Sequence, residues 1–129
     1  MLLRGAEDIE DAFAAFKSEG ANALLSLEVP RTSTHGGKIA ELAASMRLPT
    51  MFGRDLARHG PLLAYGTSLA AAARQMAGMV DRILKGAKPG DMPIERVMQP
   101  ELIVSLRVAR QIGITIPPEV LAIAAQAVE

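Results

Sequence analysis

Cysteine is absent from the 129 residues, which excludes a disulfide framework, a thiolate metal site and a thiol nucleophile together. Tryptophan is absent as well, and only Phe13, Phe16, Phe52 and Tyr65 are aromatic. Since half of the residues are hydrophobic, the core must be built from Ala, Leu, Ile, Val and Met, a composition that suits helices packed on a sheet. Neither sign of charge dominates: fourteen basic and fourteen acidic residues cancel, leaving no electrostatic footprint for nucleic acid or an anionic membrane. Neither partner is expected. A long uncharged apolar run is also lacking, because the longest helix-like apolar segment, Thr67 to Lys85, carries Arg74, Asp81 and Arg82, and mid-span charges are costly in lipid. The opening Met1-Leu2-Leu3-Arg4-Gly5 runs straight into Glu7-Asp8-Ile9-Glu10-Asp11, without the basic start and apolar stretch of a signal peptide. Any export signal is expected outside this chain.

The length fits one domain with one continuous core. Ile9, Phe13 and Phe16 recur at i, i+4 and i+7 behind an acidic first turn, and Gly20 stands where a C-terminal cap glycine belongs, so residues 7–19 read as an amphipathic helix. Ala21 to Leu27 is apolar on both faces apart from Asn22 and Ser26, as expected of a central parallel strand covered on both sides. Gly36 to Met46 places Ile39, Leu42, Ala43 and Met46 on one helical face, and Thr50 to Gly53 follows as a short extended run. Two helix-then-strand units in succession favour a layered, mostly parallel α/β sheet with helices on both faces and right-handed crossovers.

Leu62 to Tyr65 is a further strand candidate, and Leu69, Ala73, Met76, Val80, Ile83 and Leu84 mark the stripe of a long helix closed by Gly86. Ala87 to Pro93 reads as a loop. Ile94–Met98, Leu102–Leu106 and Ile114–Ile116 look extended, Arg107–Ile112 reads as a short helix stopped by Gly113, and Pro118 opens a last helix at its favoured first position.

Motifs for bond-making chemistry are wanting. Glu7, Asp8, Glu10 and Asp11 lie in a helix first turn, where the macrodipole stabilises carboxylates. His35 and His59 are too far apart for a helical ligand pair. Gly36-Gly37-Lys38 is not a phosphate loop, because Ile39 follows the lysine and Thr32 stands where the first glycine is required. Ser68 lacks the flanking glycine of a nucleophile elbow. No enzyme activity, metal or cofactor is expected.

What remains is a set of loops at the carboxyl ends of the expected strands, where open α/β sheets bind ligands. Arg31, Thr32, Ser33 and Thr34 offer one guanidinium and three hydroxyls just ahead of a helix, a setting that favours an anion or carboxylate. Phe52-Gly53-Arg54 and Tyr65-Gly66-Thr67 each place an aromatic plane beside a glycine. The candidate ligand residues are accordingly Arg31, Thr32, Ser33, Thr34, Phe52, Gly53, Tyr65, Gly66 and Thr67.

Longer segments carry a specific resemblance. Leu63-Ala64-Tyr65-Gly66, the run from Met79 through Gly86-Ala87-Lys88-Pro89-Gly90-Asp91-Met92-Pro93 to Glu95, and the tail Ala109 to Pro118 closely resemble the C-terminal half of ABC transporter substrate-binding proteins related to tryptophan- and tyrosine-binding lipoproteins. Ile39–Ala43 and Arg47-Leu48-Pro49 extend the likeness over nearly the whole chain. The resemblance implies one lobe of a fold like type I periplasmic binding proteins, with residues 67–98 forming the crossover helix and return segment that contact a missing N-terminal lobe. It also implies a small-molecule solute captured in an interlobe cleft, a permease partner, and a periplasmic or extracellular membrane-anchored full-length protein. A ligand-sensing regulatory domain of the same fold is the other function the likeness admits. With the long helix's stripe left uncovered, this chain by itself is expected to pair as a homodimer. Two departures stand out: His59-Gly60-Pro61 where the family usually has a glycine pair, and Ser105 where it has asparagine.

Overall fold

The computed structural model describes residues 7–96 and 100–129. The acidic first turn and the Ile9/Phe13/Phe16 spacing produce α1, Glu7–Ser18, which ends on Gly20 in the left-handed region, with the Ala21 N–H donating back to the Phe16 carbonyl at 2.9 Å. There follow β1 (Leu24–Ser26), α2 (Pro30–Ser45), β2 (Thr50–Gly53), a 3-10 turn (Arg54–His59), β3 (Leu63–Thr67) and α3 (Leu69–Leu84). After a second 3-10 turn, Pro89–Asp91, come β4 (Pro100–Ser105), α4 (Leu106–Ile112), α5 (Pro118–Ile123) and β5 (Gln126–Val128).

The strands form one five-stranded sheet in sequential order. β1, β2 and β3 run parallel, β4 is antiparallel to β3, and β5 is parallel to β4. This is the mostly parallel α/β sheet that the alternating pattern implies. Its main core lies where α1 and α2 meet β2: Ile9 and Phe13, Ile39, Ala40 and Ala43, then Leu48, Phe52 and Leu56 form one buried cluster. Phe13 and Phe16 meet edge to face at 5.4 Å. A second cluster joins Leu62 to Val108, Ala109 and Ile112 of α4.

Two features involve residues that the pattern leaves ambiguous, one through tertiary contact and one through a local helix end. Gly36, in mid-helix, is buried against the His59 ring, and a Cβ there would lie 2.8 Å from His59 Cγ. The glycine is needed for close approach, not for phosphate. α2 ends with Arg47 in the left-handed region (φ 55°) and the Leu48 N–H donating to the Ala43 carbonyl at 2.8 Å, a C-cap usually given to glycine.

Several elements differ from the sequence expectation. α2 begins at Pro30 rather than Gly36, because proline at the first helical position is already set for the helix. β1 is the outermost strand among the described residues rather than a covered central one, and Leu25 is 66% exposed. The Arg54–His59 turn and β5 were not expected. β5 forms because the Ala125 N–H donates to the Leu102 carbonyl at 2.8 Å and sets the register beside β4. Residues 114–116 form no strand, nor do 94–96, while Val97 and Met98 of the expected return segment lie outside the described residues, as does the opening Met1–Gly5.

Candidate ligand-binding edge

Because β1, β2 and β3 are parallel and in sequential order, their carboxyl ends all open on one edge of the sheet, with β1's Ser26, β2's Gly53 and β3's Tyr65 close to it. The loops bearing Arg31–Thr34, Phe52–Arg54 and Tyr65–Thr67 therefore share that edge. The beginning of β4 reaches it too, since Glu101 stands opposite Gly66 and Pro100 opposite Thr67.

The structure divides the candidate residues by what their polar groups already do. Arg31 through Thr34 form the first turn of α2 rather than a free loop. Thr32 Oγ1 accepts the Val29 N–H at 3.0 Å and sits in hydrogen-bonding range of the Leu27 and Val29 carbonyls, while Thr34 Oγ1 donates to the Pro30 carbonyl at 2.9 Å. Both hydroxyls serve the helix start. Arg31 is exposed, and its side chain makes no ion pair or hydrogen bond among the described residues. Ser33, half-buried, has a hydroxyl equally without a side-chain hydrogen bond there.

Phe52 is 1% exposed and packs into the α1/α2 core, so its ring faces away from solvent and is not presented to a ligand. Its neighbour Gly53 is a close-approach position: a Cβ there would lie 2.9 Å from Glu28 Cβ. Glu28 is thereby brought over the end of β2, exposed and without an ion pair among the described residues. Sequence reasoning passed over Glu28. Its only signal was a glycine 25 positions later, which means nothing until the strands are paired.

Tyr65 stands beside Gly53 in the β2/β3 register and is 47% exposed, so its ring is presented at this edge. Gly66 follows with φ 146°, a backbone conformation that favours glycine, and passes over Arg54, whose Cβ would lie 3.5 Å from a Cβ at position 66. Thr67 is exposed at the strand end. Arg54 is not a free cation, because its guanidinium is held between Glu101 and Asp55, and Glu101 first and Asp55 second raise its pKa above the ordinary arginine value. Among the described residues the Arg31 and Glu28 side chains make no ion pair, and Tyr65 is exposed at the same edge.

A separate groove of about 400 Å³, lined by Arg58, Pro61, Ser105, Arg107 and Gln126 among others, lies toward the opposite end of β3. There Ser105, at the departure from the expected asparagine, accepts the Val108 N–H at 3.3 Å and caps α4. Gly60, in the His59-Gly60-Pro61 departure, takes a left-handed conformation with φ 75°. Among the described residues, no group of three or more His, Cys, Asp or Glu is placed to hold a metal ion, and no helix is long and apolar enough to cross a membrane.

Known proteins of the same shape were identified among solved structures. A conserved domain protein of Vibrio cholerae O1 biovar El Tor superposes with a TM-score of 0.77 at 24% identity, over 94% of this chain and 41% of that one. An ABC domain of Streptococcus pneumoniae in complex with L-Trp gives 0.81 at 20% identity, over 99% of this chain and 43% of that one. A ligand-free, open substrate binding protein with adhesive properties from Clostridium difficile gives 0.73 at 13% identity, over 98% of this chain and 43% of that one. The chain therefore spans about two fifths of the length of these structures. No curated protein matches by sequence. The profile of the family described as ABC transporter substrate binding protein matches residues 2–128. That family consists of binding components rather than enzymes, and the chain, matched over almost its full length, belongs to it.

Proposed function

We propose that this chain is the C-terminal lobe of the solute-binding component of an ABC-type uptake transporter, and that the carboxyl edge of β1–β3 forms one wall of an interlobe cleft. The observation that carries the reading is the placement of Tyr65, Gly66, Thr67, Gly53, Arg31 and Ser33 on that edge in a chain matched from end to end by the family. Thr32 and Thr34 stabilise the wall through the start of α2, and Phe52 supports it from the core. A guanidinium and a carboxylate without ion pairs among the described residues, together with an exposed ring, suit a small amphoteric solute, an amino acid or an aromatic compound, as the L-Trp complex of the pneumococcal domain also suggests. Binding and closure require no cofactor. The full-length protein works in the periplasm or, anchored to the membrane, outside the cell, and delivers its solute to a permease.

The missing wall is the N-terminal lobe of the same protein. α3 buries none of its residues, and Leu69, Met76, Val80, Ile83 and Leu84 are exposed along it. Leu25 and Leu27 are exposed on β1, and an apolar groove of about 180 Å³ runs between α1 and β1 past Phe13, Phe16 and Leu24. In our reading residues 67–98 cross to the other lobe, which covers α3, while further chain packs beside β1. Alone, the chain covers α3 with a second copy of itself, by facing helices or by exchange.

Calorimetry of the full-length protein against amino acids and aromatic acids tests the proposal. Tyr65→Ala is expected to weaken binding of the responding solute by about 1–3 kcal/mol, the scale of a truncated aromatic anchor. An unchanged affinity would make Tyr65 scaffold. The isolated chain is expected to bind the same solute far more weakly, since half a cleft leaves it in water.

A further inference from the structure

We infer that Arg54, Asp55 and Glu101 form a latch that sets the direction in which the α3 arm leaves this lobe, and so act as positioning residues for the cleft; the inference rests on the two-lobe reading above. Arg54 directly follows β2. Its Nε and Nη2 both donate to one Glu101 oxygen, at 2.9 and 2.7 Å, and its Nη1 donates to Asp55 Oδ1 at 3.0 Å. The second Asp55 oxygen, Oδ2, accepts the backbone N–H of Leu69, the first residue of α3, at 2.8 Å. Glu101 is the second residue of β4, where the chain has just returned. The turn that ends β2 therefore holds the returning segment through Arg54 and the outgoing segment through Asp55, which the same guanidinium orients.

Within a single copy of the chain, packing does not supply this constraint. No residue of α3 is buried, so its direction depends on its covalent root and on whatever polar contacts hold that root. The buried Ser68, whose Oγ accepts the Ala71 N–H at 3.4 Å, only starts the helix. Farther out, Glu95 of the segment after α3 accepts from Gln75 at 3.1 Å and from Arg82 at 2.7 Å, which binds the outgoing helix to the returning chain but neither of them to the lobe. The latch lies at the junction, where a small change in angle becomes a large displacement at the end of a helix of sixteen residues.

The test uses this chain, whose lack of cysteine leaves introduced sites as the only ones labelled. Spin labels at Glu41→Cys on α2 and Ala77→Cys on α3, diluted with excess unlabelled chain and compared between variants at the same dimer fraction by light scattering, report the angle of the arm as an interspin distance distribution. Arg54→Ala is expected to broaden that distribution at least about twofold and to speed exchange of the Leu69 amide about tenfold or more, while the Phe52 and Ala64 amides keep their rates. Arg54→Lys, which retains the charge but cannot span both carboxylates, is expected to give an intermediate width. Glu101→Gln, which removes one arm of the latch with little loss of packing, is expected to broaden the distribution less than Arg54→Ala. An unchanged width with unchanged Leu69 exchange would overturn the inference. So would parallel acceleration at Leu69, Phe52 and Ala64, which would make the ion pairs ordinary scaffold. Neither readout involves a solute, so failure of the latch is distinguishable from failure of the binding function.

Discussion

α2 and α3 are both sixteen residues long and both amphipathic, yet α2 buries Gly36, Ile39, Ala40 and Ala43 while α3 buries nothing. The difference lies in what the fold places against each stripe. α2 connects two adjacent parallel strands and is folded back onto the sheet by that crossover, whereas α3 leaves from the end of β3 and the chain comes back only at β4. An apolar stripe states a need for cover. It does not say which surface provides it, and in α3 the family membership and the two-fifths coverage of the solved structures supply the candidate: the other lobe.

The comparison breaks most visibly through association. Leaving five large aliphatic side chains of α3 in water forgoes on the order of 10 kcal/mol, at about 1.5–3 kcal/mol for each, which is comparable to a whole domain's stability. Light scattering of the isolated chain at micromolar concentration is expected to show a dimer, and Met76→Lys combined with Val80→Glu is expected to yield monomer or aggregate. A stable, well-folded monomer of the unaltered chain would refute the reasoning.

The covered region should respond in stability rather than association. Phe52→Ala removes a ring from the α1/α2 core and is expected to cost about 3–5 kcal/mol in urea unfolding. A cost near zero would mean that this core is not what holds the lobe together. A smaller loss is expected from Thr50→Val, because the buried Thr50 hydroxyl accepts the Leu62 N–H at 2.8 Å just ahead of β3. Leaving that donor unpaired should cost about 1–3 kcal/mol, measured the same way.

The smallest effect belongs to the arm. Arg82 first, then Gln75, hold the Glu95 carboxyl below its ordinary pKa of 4.5. A depressed folded-state pKa means the contact contributes fully above the unfolded value and is lost as pH falls through the lower, folded one. Acidification below the ordinary carboxylate range should therefore release Glu95 from Arg82. The Gln75 side-chain amide resonances are expected to move with that step while those of the core remain in place; a Glu95 titrating at its ordinary value would show that the return segment is not held on α3.

The legible and illegible parts of the site divide along the same line. Tyr65–Gly66–Thr67 and Arg31 could be assigned to the carboxyl edge of the sheet because strand-then-helix order by itself says where the carboxyl ends of parallel strands point. Phe52 read as a ligand neighbour because an aromatic beside a glycine looks alike from either face of a strand, and only the α1/α2 packing shows that its ring turns inward. Glu28 was invisible because only the strand pairing lays it over Gly53.

The sequence by itself determined the α/β alternation, the extents of α1, β2 and α3, the left-handed stops at Gly20 and Gly113 and the family likeness, since each depends on residues a few positions apart or on an unbroken run. Tertiary structure alone decided that β5 joins the sheet, that Gly36 accommodates His59, and that Arg54 pairs with Glu101. Those outcomes rest on contacts between residues far apart in the chain, 47 positions in the last case. Local periodicity carries no information about such pairs, because they exist only once the strands have found their register.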